Sequence, residues 1–354
     1  MSTNFHALTI SKITKEAAKT VAISFNIPSE LKETFKFTAG QYLTLNSIIN
    51  GEDVRRSYSI CSSPNEEEIT VAVKAIENGK FSNFAYNQLN EGDSLKVMAP
   101  MGNFIVKNAE ENGTHVFYAA GSGITPVLSM IKALTANNAA CKIELFYGNR
   151  SINDIIFKSD LDALAAKYDG LNVHYILSRE DSGSKLLNGR IDASKCSDLY
   201  NSFLSDASIA GVYLCGPEAM INTVRDFYNL KNFDKSKIHF ELFTTPSIEQ
   251  DAKPKMAGEV VNSQVTVIID DEEYEFELSS NGKNILQAAQ DEGADVPFSC
   301  KGGVCCTCRA KIMEGSASMD MNFSLEESEI EEGFVLTCQA HPTSDKIVVS
   351  FDEY

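Results

Sequence analysis

The sequence has little positive charge. Its 354 residues carry 31 Lys and Arg against 49 Asp and Glu, a formal charge of −18. Sequence-independent nucleic-acid binding depends on Lys and Arg neutralising phosphates, and acidic membranes attract basic clusters, so both partner classes are excluded. No apolar run approaches the ~18 residues of a membrane-spanning helix. The opening residues Met1-Ser2-Thr3-Asn4-Phe5-His6 show no basic segment followed by an apolar one, which sets the expectation of a cytoplasmic protein. The five histidines (His6, His115, His174, His239 and His341) are scattered, and neither an internal repeat nor a hydrolase-like nucleophile–base pair is visible.

What is present points to a multidomain protein. The apolar fraction, 43 %, excludes general disorder, and the length suggests two or three domains at about 150 residues each. The charge is concentrated at one end: residues 259–354 carry a net −15 and the first 258 residues only −3. Such a step marks a separate acidic module with an electrostatically matched partner, a basic patch on another protein. An odd count of nine cysteines argues against a disulfide framework. Five of them (Cys300, Cys305, Cys306, Cys308 and Cys338) fall in the last 55 residues.

Three rhythms run along the chain. Residues 1–108 read as short strands, such as Thr20–Phe25, Tyr42–Leu45, Ser57–Ile60 and Ile69–Val73, broken by turns such as Asn50-Gly51, which favours a barrel or a sandwich. One short helix is expected from Ser82 to about Leu89, with Ser82 as N-cap. Residues 109–243 alternate strand and helix, the pattern of a parallel sheet covered by helices. Residues 244–262, with Pro246, Pro254 and Gly258, read as a linker. Residues 263–354 form the last module, opening on a hairpin of Val265–Ile269 and Tyr274–Leu278.

Cys300, Cys305 and Cys308 have the spacing C-x4-C-x2-C, and Cys338 offers a distant fourth thiolate, which is the plant-type 2Fe-2S pattern. Gly302 and Gly303 let the loop close and turn N–H groups toward sulfur. Cys306 is surplus to this spacing. The competing reading is a four-thiolate zinc site, which usually takes two close pairs, and only one is present.

Three further motifs suit a dinucleotide chemistry. In Arg56-Ser57-Tyr58-Ser59 a guanidinium suits a phosphate and a phenol ring suits a flat heterocycle. Gly79-Lys80-Phe81-Ser82 precedes the short helix, whose N-terminus suits a pyrophosphate. Gly121-Ser122-Gly123-Ile124-Thr125-Pro126 follows an apolar strand and opens a helix, although Pro126 stands where the full G-x-G-x-x-G has its third glycine. Cys215-Gly216-Pro217 and Ser178-Arg179 follow other strands at the same sheet end.

Together these residues resemble the ferredoxin–NADP reductase superfamily with a fused plant-type ferredoxin, over essentially the whole chain. The resemblance implies an antiparallel β-barrel flavin domain (1–108), an α/β NADP(H) domain (109–243) and an α+β (β-grasp) ferredoxin domain (263–354). It implies FAD held by Arg56, Ser57, Tyr58, Ser59, Val73, Gly79, Phe81 and Ser82. It places Gly121, Gly123, Thr125, Pro126, Cys215, Gly216 and Pro217 at the nicotinamide nucleotide, with Ser178 and Arg179 on the 2′-phosphate, favouring NADPH. Phe243 and Glu241 lie near the flavin by the same resemblance, and Tyr58, Ser59 and Cys215 at the reacting centre. The metal ligands are Cys300, Cys305, Cys308 and Cys338.

The implied activity moves electrons from NADPH through FAD and the 2Fe-2S cluster to an oxygenase component or a soluble carrier. Reductase first and ferredoxin last is the order found in reductases of oxygenases. A di-iron epoxidase of phenylacetyl-CoA is the expected partner, with aromatic-ring or steroid oxygenases as alternatives. A non-catalytic redox sensor is the alternative from another class.

Overall fold

A computed structural model of the protein describes residues 4–107, 113–137, 141–243 and 260–353. The expected linker, 244–262, lies outside the described residues apart from its last three. Of these, Asn262 already belongs to a strand.

The first unit contains β1 (Phe5–Glu16), β2 (Thr20–Asn26), β3 (Tyr42–Ile49), β4 (Glu52–Ser59), β5 (Ile69–Lys74), α1 (Lys80–Asn87) and β6 (Ser94–Met98). The antiparallel sheet has the order β4-β3-β6-β1-β2-β5. Ile60 bridges Val71, and Cys61 N–H donates to Thr70 O at 2.8 Å, which brings the two outer strands together and closes the barrel. Its interior is aliphatic and aromatic: Leu8, Ile10, Val21, Ile23, Phe25, Leu43, Leu45, Val71 and Val97. Asn50 and Gly51 have φ of 53° and 80°, as a tight two-residue hairpin turn requires. This turn fixes the β3–β4 register, setting Thr44 opposite Ser57 and Tyr42 opposite Ser59.

The second unit holds β7 (Thr114–Ala120), α2 (Ile124–Asn137), β8 (Lys142–Asn149), α3 (Lys158–Lys167), β9 (Leu171–Leu177), α4 (Ala193–Phe203), β10 (Ile209–Cys215), α5 (Glu218–Leu230) and β11 (Ile238–Glu241). The sheet order is β11-β10-β7-β8-β9, every pair parallel. The chain steps outward from β7 to β9, then returns to place β10 on the other side of β7. The crevice between β7 and β10 is therefore the topological switch point, where open α/β sheets bind ligands.

The third unit is a mixed sheet. Its strands are β12 (Asn262–Ile269), β13 (Glu272–Ser279), β14 (Arg309–Glu314), β15 (Ala317–Met319), β16 (Phe334–Leu336), β17 (Ala340–Pro342) and β18 (Lys346–Ser350), with helices α6 (Ile285–Asp291) and α7 (Glu327–Glu331). The main sheet has the order β13-β12-β18-β14-β16, and β15 pairs β17 separately. β12 and β18 are parallel, and Ile285, Leu286 and Ala289 of α6 share a core with Val265, Val267, Phe276 and Val349. No helix among the described residues is long and apolar enough to cross a membrane.

Candidate functional site

At the switch point two glycine loops interlock. A Cβ on Gly123 would lie 2.1 Å from Cys215 O and 2.9 Å from Gly216 N, so only glycine allows the loops this close. Gly121 adopts φ 56°, and Thr125 donates to Ser122 O at 3.0 Å, which sets the first turn of α2 toward the crevice. Pro126 lies buried inside that turn, and Pro217 is the N-cap residue of α5. Next to the crevice, Ser178 Oγ donates to Asn149 O at 3.2 Å and Arg179 N–H to Arg150 O at 2.8 Å. Arg150 and Arg179 are exposed. Burial and the charge of Arg150 hold the Lys74 ammonium below its usual range, against the opposing pull of Asp154. Asn149 Nδ2 is buried with no hydrogen-bond partner among the described residues. Clustered cations and an orphaned amide donor suit an anionic nucleotide.

In the barrel the motif strand β4 has two faces, as pleating dictates. Tyr58 packs on Phe81 with ring centroids 5.6 Å apart, whereas Ser59 Oγ donates to Glu241 Oε2 at 3.1 Å, in the neighbouring unit. Arg56 is exposed. Its neighbour Arg55 belongs elsewhere: its guanidinium stacks on Phe298 at 4.4 Å and pairs with Asp295 at 3.2 Å, both in the third unit. α1 starts beside a cavity of about 390 Å³ lined by Ile48, Ile49, Asn50, Gly79, Lys80 and Phe84, among others. A Cβ on Gly79 would fall 2.3 Å from Ser82 Oγ, so a larger residue there would displace the Ser82 hydroxyl.

In the third unit the loop 302–308 is buried. The Cys300 and Cys305 sulfurs are 3.1 Å apart, and Cys308 pairs with Cys338. Cys305 and then the N–H groups of Gly302, Val304 and Cys305 pull the Cys300 thiol down to about 6, against the effect of burial. Gln339 Nε2 reaches Cys338 Sγ at 3.6 Å. No three of His, Cys, Asp and Glu among the described residues gather as a single-ion site. Two sulfur pairs around a loop of inward N–H groups suit a two-iron cluster with two thiolates on each iron, and do not suit one zinc ion.

The three units meet at a cavity of about 190 Å³ whose lining includes Tyr42 and Phe104 from the first, Phe240 and Glu241 from the second and Cys305 and Cys306 from the third. Burial pushes the Glu241 carboxyl up to about 8, against the hydrogen bond from Ser59 that lowers it. Burial, and then the charge of Glu241, hold the Cys215 thiol well above its usual range.

Comparison with known proteins agrees with this geometry. Residues 7–105 match the oxidoreductase FAD-binding domain, 117–226 the oxidoreductase NAD-binding domain and 267–343 the 2Fe-2S iron-sulfur cluster binding domain. The chain is 39 % identical to a subunit of the 1,2-phenylacetyl-CoA epoxidase of Escherichia coli (strain K12), over 99 % of this chain and 98 % of that protein. It belongs to the FAD- and NAD-binding oxidoreductases with a 2Fe-2S domain that serve as reductase components of oxygenases. It is also 30 % identical to the ferredoxin reductase component of 3-ketosteroid-9-alpha-monooxygenase from Rhodococcus rhodochrous, over 97 % of this chain and 96 % of that one. Among solved structures, phthalate dioxygenase reductase shares the fold over 98 % of both chains, with a TM-score of 0.60 at 24 % identity.

The structure brings Ser59, Cys215 and Glu241 toward one junction and joins the Gly121–Pro126 and Cys215–Pro217 loops. It corrects the expected helix cap. Ser82 is not the N-cap: Gly79 takes that place, and Ser82 Oγ instead accepts from Ile76 N–H at 3.4 Å. The Val73 side chain is fully buried in the barrel core, paired across from Val21, which leaves only its backbone to meet a ligand. Phe243 is 40 % exposed. The sequence reading missed Lys74, Arg150 and Asn149. The C-terminal ends of β5 and β8 were the available signal for them.

Proposed function

We propose that this reductase draws electrons from NADPH through FAD and its 2Fe-2S cluster for an oxygenase that epoxidises phenylacetyl-CoA. One observation carries the reading: residues from all three cofactor domains line a single cavity. FAD bound here would supply the hydride chemistry, and a cluster on the four cysteines the one-electron chemistry.

The chain's own residues bind and position. Arg56 offers a forked donor to the FAD pyrophosphate, with the N-terminus of α1 at Gly79–Ser82 beside it. Tyr58, held by Phe81, forms one wall of the flavin site. Ser59 and Glu241 hold a shared proton at the edge of that site, and the Glu241 carboxyl stays protonated at neutral pH. Cys215, fully buried, backs the nicotinamide side. Gly121, Gly123, Gly216 and Pro217 let the dinucleotide approach the backbone, and Thr125 and Pro126 fix the helix behind it. Arg179, with Arg150, meets the 2′-phosphate and favours NADPH. Cys300, Cys305, Cys308 and Cys338 hold the cluster.

The 39 % identity to the epoxidase subunit supports the acyl-CoA substrate, and the partner is then a di-iron epoxidase component. Anaerobic NADPH titration, followed by visible absorbance and EPR, tests the electron route; flavin and cluster signals should both change. Reconstitution tests the partner. NADPH oxidation dependent on both phenylacetyl-CoA and an epoxidase component supports the assignment, and equal coupling to a steroid oxygenase overturns it.

A further inference from the structure

Strand β4 carries the flavin motif, yet its odd-numbered face touches a different domain. Arg55 stacks on Phe298 and pairs with Asp295. Ser57 Oγ donates to Ser299 Oγ at 2.9 Å, beside Cys300. From Ser57 the contacts continue across the barrel: its hydroxyl meets Thr44 Oγ1 at 3.1 Å, Thr44 meets Thr307 Oγ1 at 3.4 Å, and Thr307 meets the Tyr42 hydroxyl at 3.2 Å. Cys306 N–H donates to that same Tyr42 oxygen at 3.1 Å. Tyr42 is 4 % exposed, and Gly102 packs beside its ring, where a Cβ would lie 2.9 Å away. The seam is built from five hydroxyls. It grips the cysteine loop at both flanks, at Ser299 before Cys300 and at Thr307 between Cys305 and Cys308.

We propose that this seam docks the 2Fe-2S loop onto the flavin strand, with Tyr42 as the positioning residue for electron passage between them. The even face of β4, Arg56 and Tyr58, serves the flavin. The odd face, through Ser57, reaches Ser299 and then Cys300, so one strand joins the two cofactor sites by a few covalent and hydrogen-bonded steps. The Tyr42 oxygen holds the Cys306 N–H, which fixes the loop's orientation toward the barrel. Hydroxyls suit this role because they bind specifically without placing a charge beside the thiolates.

The inference rests on the flavin and cluster assignments above, and the experiment separates the two. Y42F and T44V are compared with the wild-type holoprotein by rapid mixing with NADPH, following flavin bleaching and, by freeze-quench EPR, the reduced cluster. Hydrogen exchange of the peptide covering Ser299–Cys308 gives a readout independent of turnover. In Y42F, flavin bleaching should keep its wild-type rate. Y42F removes both hydrogen bonds of the Tyr42 hydroxyl; losing one of about 1.4 kcal/mol already slows cluster reduction about tenfold, so the slowing should be about tenfold or more. The peptide should exchange faster, and the EPR line shape should shift as the Cys306 N–H is released. T44V should show the same pattern more weakly. Wild-type cluster reduction and exchange in both variants would overturn the dock. Equal slowing of flavin bleaching would also overturn it, placing Tyr42 in the hydride step. A wild type with neither signal sinks the underlying assignments instead.

Discussion

E241Q probes the electrostatics of the three-domain junction. Burial raises the Glu241 carboxyl from 4.5 to about 8, and the Ser59 hydrogen bond lowers it only in part. Within that window the folded chain keeps a proton that the unfolded chain has released. Each pH unit of rise therefore favours unfolding, until the folded carboxyl also ionises near 8. Below pH 4.5 both states hold the proton and the effect vanishes. From pH 6 to 8 the ceiling is about 3 kcal/mol, at 1.36 kcal/mol per unit. The folded carboxyl is itself half-ionised near pH 8, which brings the expected loss to about 2 kcal/mol. For a chain of this size that is a fall of about 2–4 °C in melting midpoint. Glutamine cannot titrate, so the wild-type midpoint should fall relative to E241Q between pH 6 and 8 in paired circular-dichroism melts. The groups facing this carboxyl are Ser59, which does not titrate, and the thiols of Cys215 and Cys306, both held high. A difference that stays flat, or that grows in favour of the wild type with pH, would refute the buried-carboxyl argument.

Three further outcomes are expected. C305S and C308S should each abolish the absorbance beyond the flavin bands while the FAD content measured after denaturation stays at one per chain; a retained cluster signal in both removes these ligands. Replacing Arg179 by glutamine should raise the KM for NADPH about tenfold or more, the value of one charge-assisted hydrogen bond, and leave NADH unchanged. Equal loss with both nucleotides would show that Arg179 does not read the 2′-phosphate. G123A should weaken nucleotide binding and lower the melting midpoint, because its methyl group would meet the Cys215 carbonyl at 2.1 Å; a wild-type KM and midpoint would mean the two loops part freely.

Much of the architecture was legible in the sequence because its signals are local. The cysteine spacing, the glycine loops after apolar strands and the Asn50-Gly51 turn each depend on neighbours a few residues apart. The short strands β14 to β18 were not read, because three to six residues carry too little periodicity and tertiary pairing decides them; the α4 and α5 helices, 11 and 13 residues long, were not read either. Ser82 looked like an N-cap by residue type, but its hydroxyl found the Ile76 amide first. Arg55 and Arg56 looked alike in sequence; the pleat sends one to Phe298 and leaves the other exposed. The seam between Tyr42 and Thr307 joins residues 265 positions apart, and no local pattern announces it.

The second unit ends where the chemistry is. β11 finishes at Glu241, the described chain runs on to Phe243, and it resumes at Val260, next to β12. Seventeen steps of chain separate those two points, a reach of at most roughly 60 Å whatever the path. The acceptor domain is thus leashed to the rim of the donor site itself. Because both domains belong to one chain, the meeting of cluster and flavin does not depend on how much protein the cell makes. Internal electron delivery should accordingly be first order and indifferent to dilution, leaving the meeting with the oxygenase as the only step that responds to protein abundance.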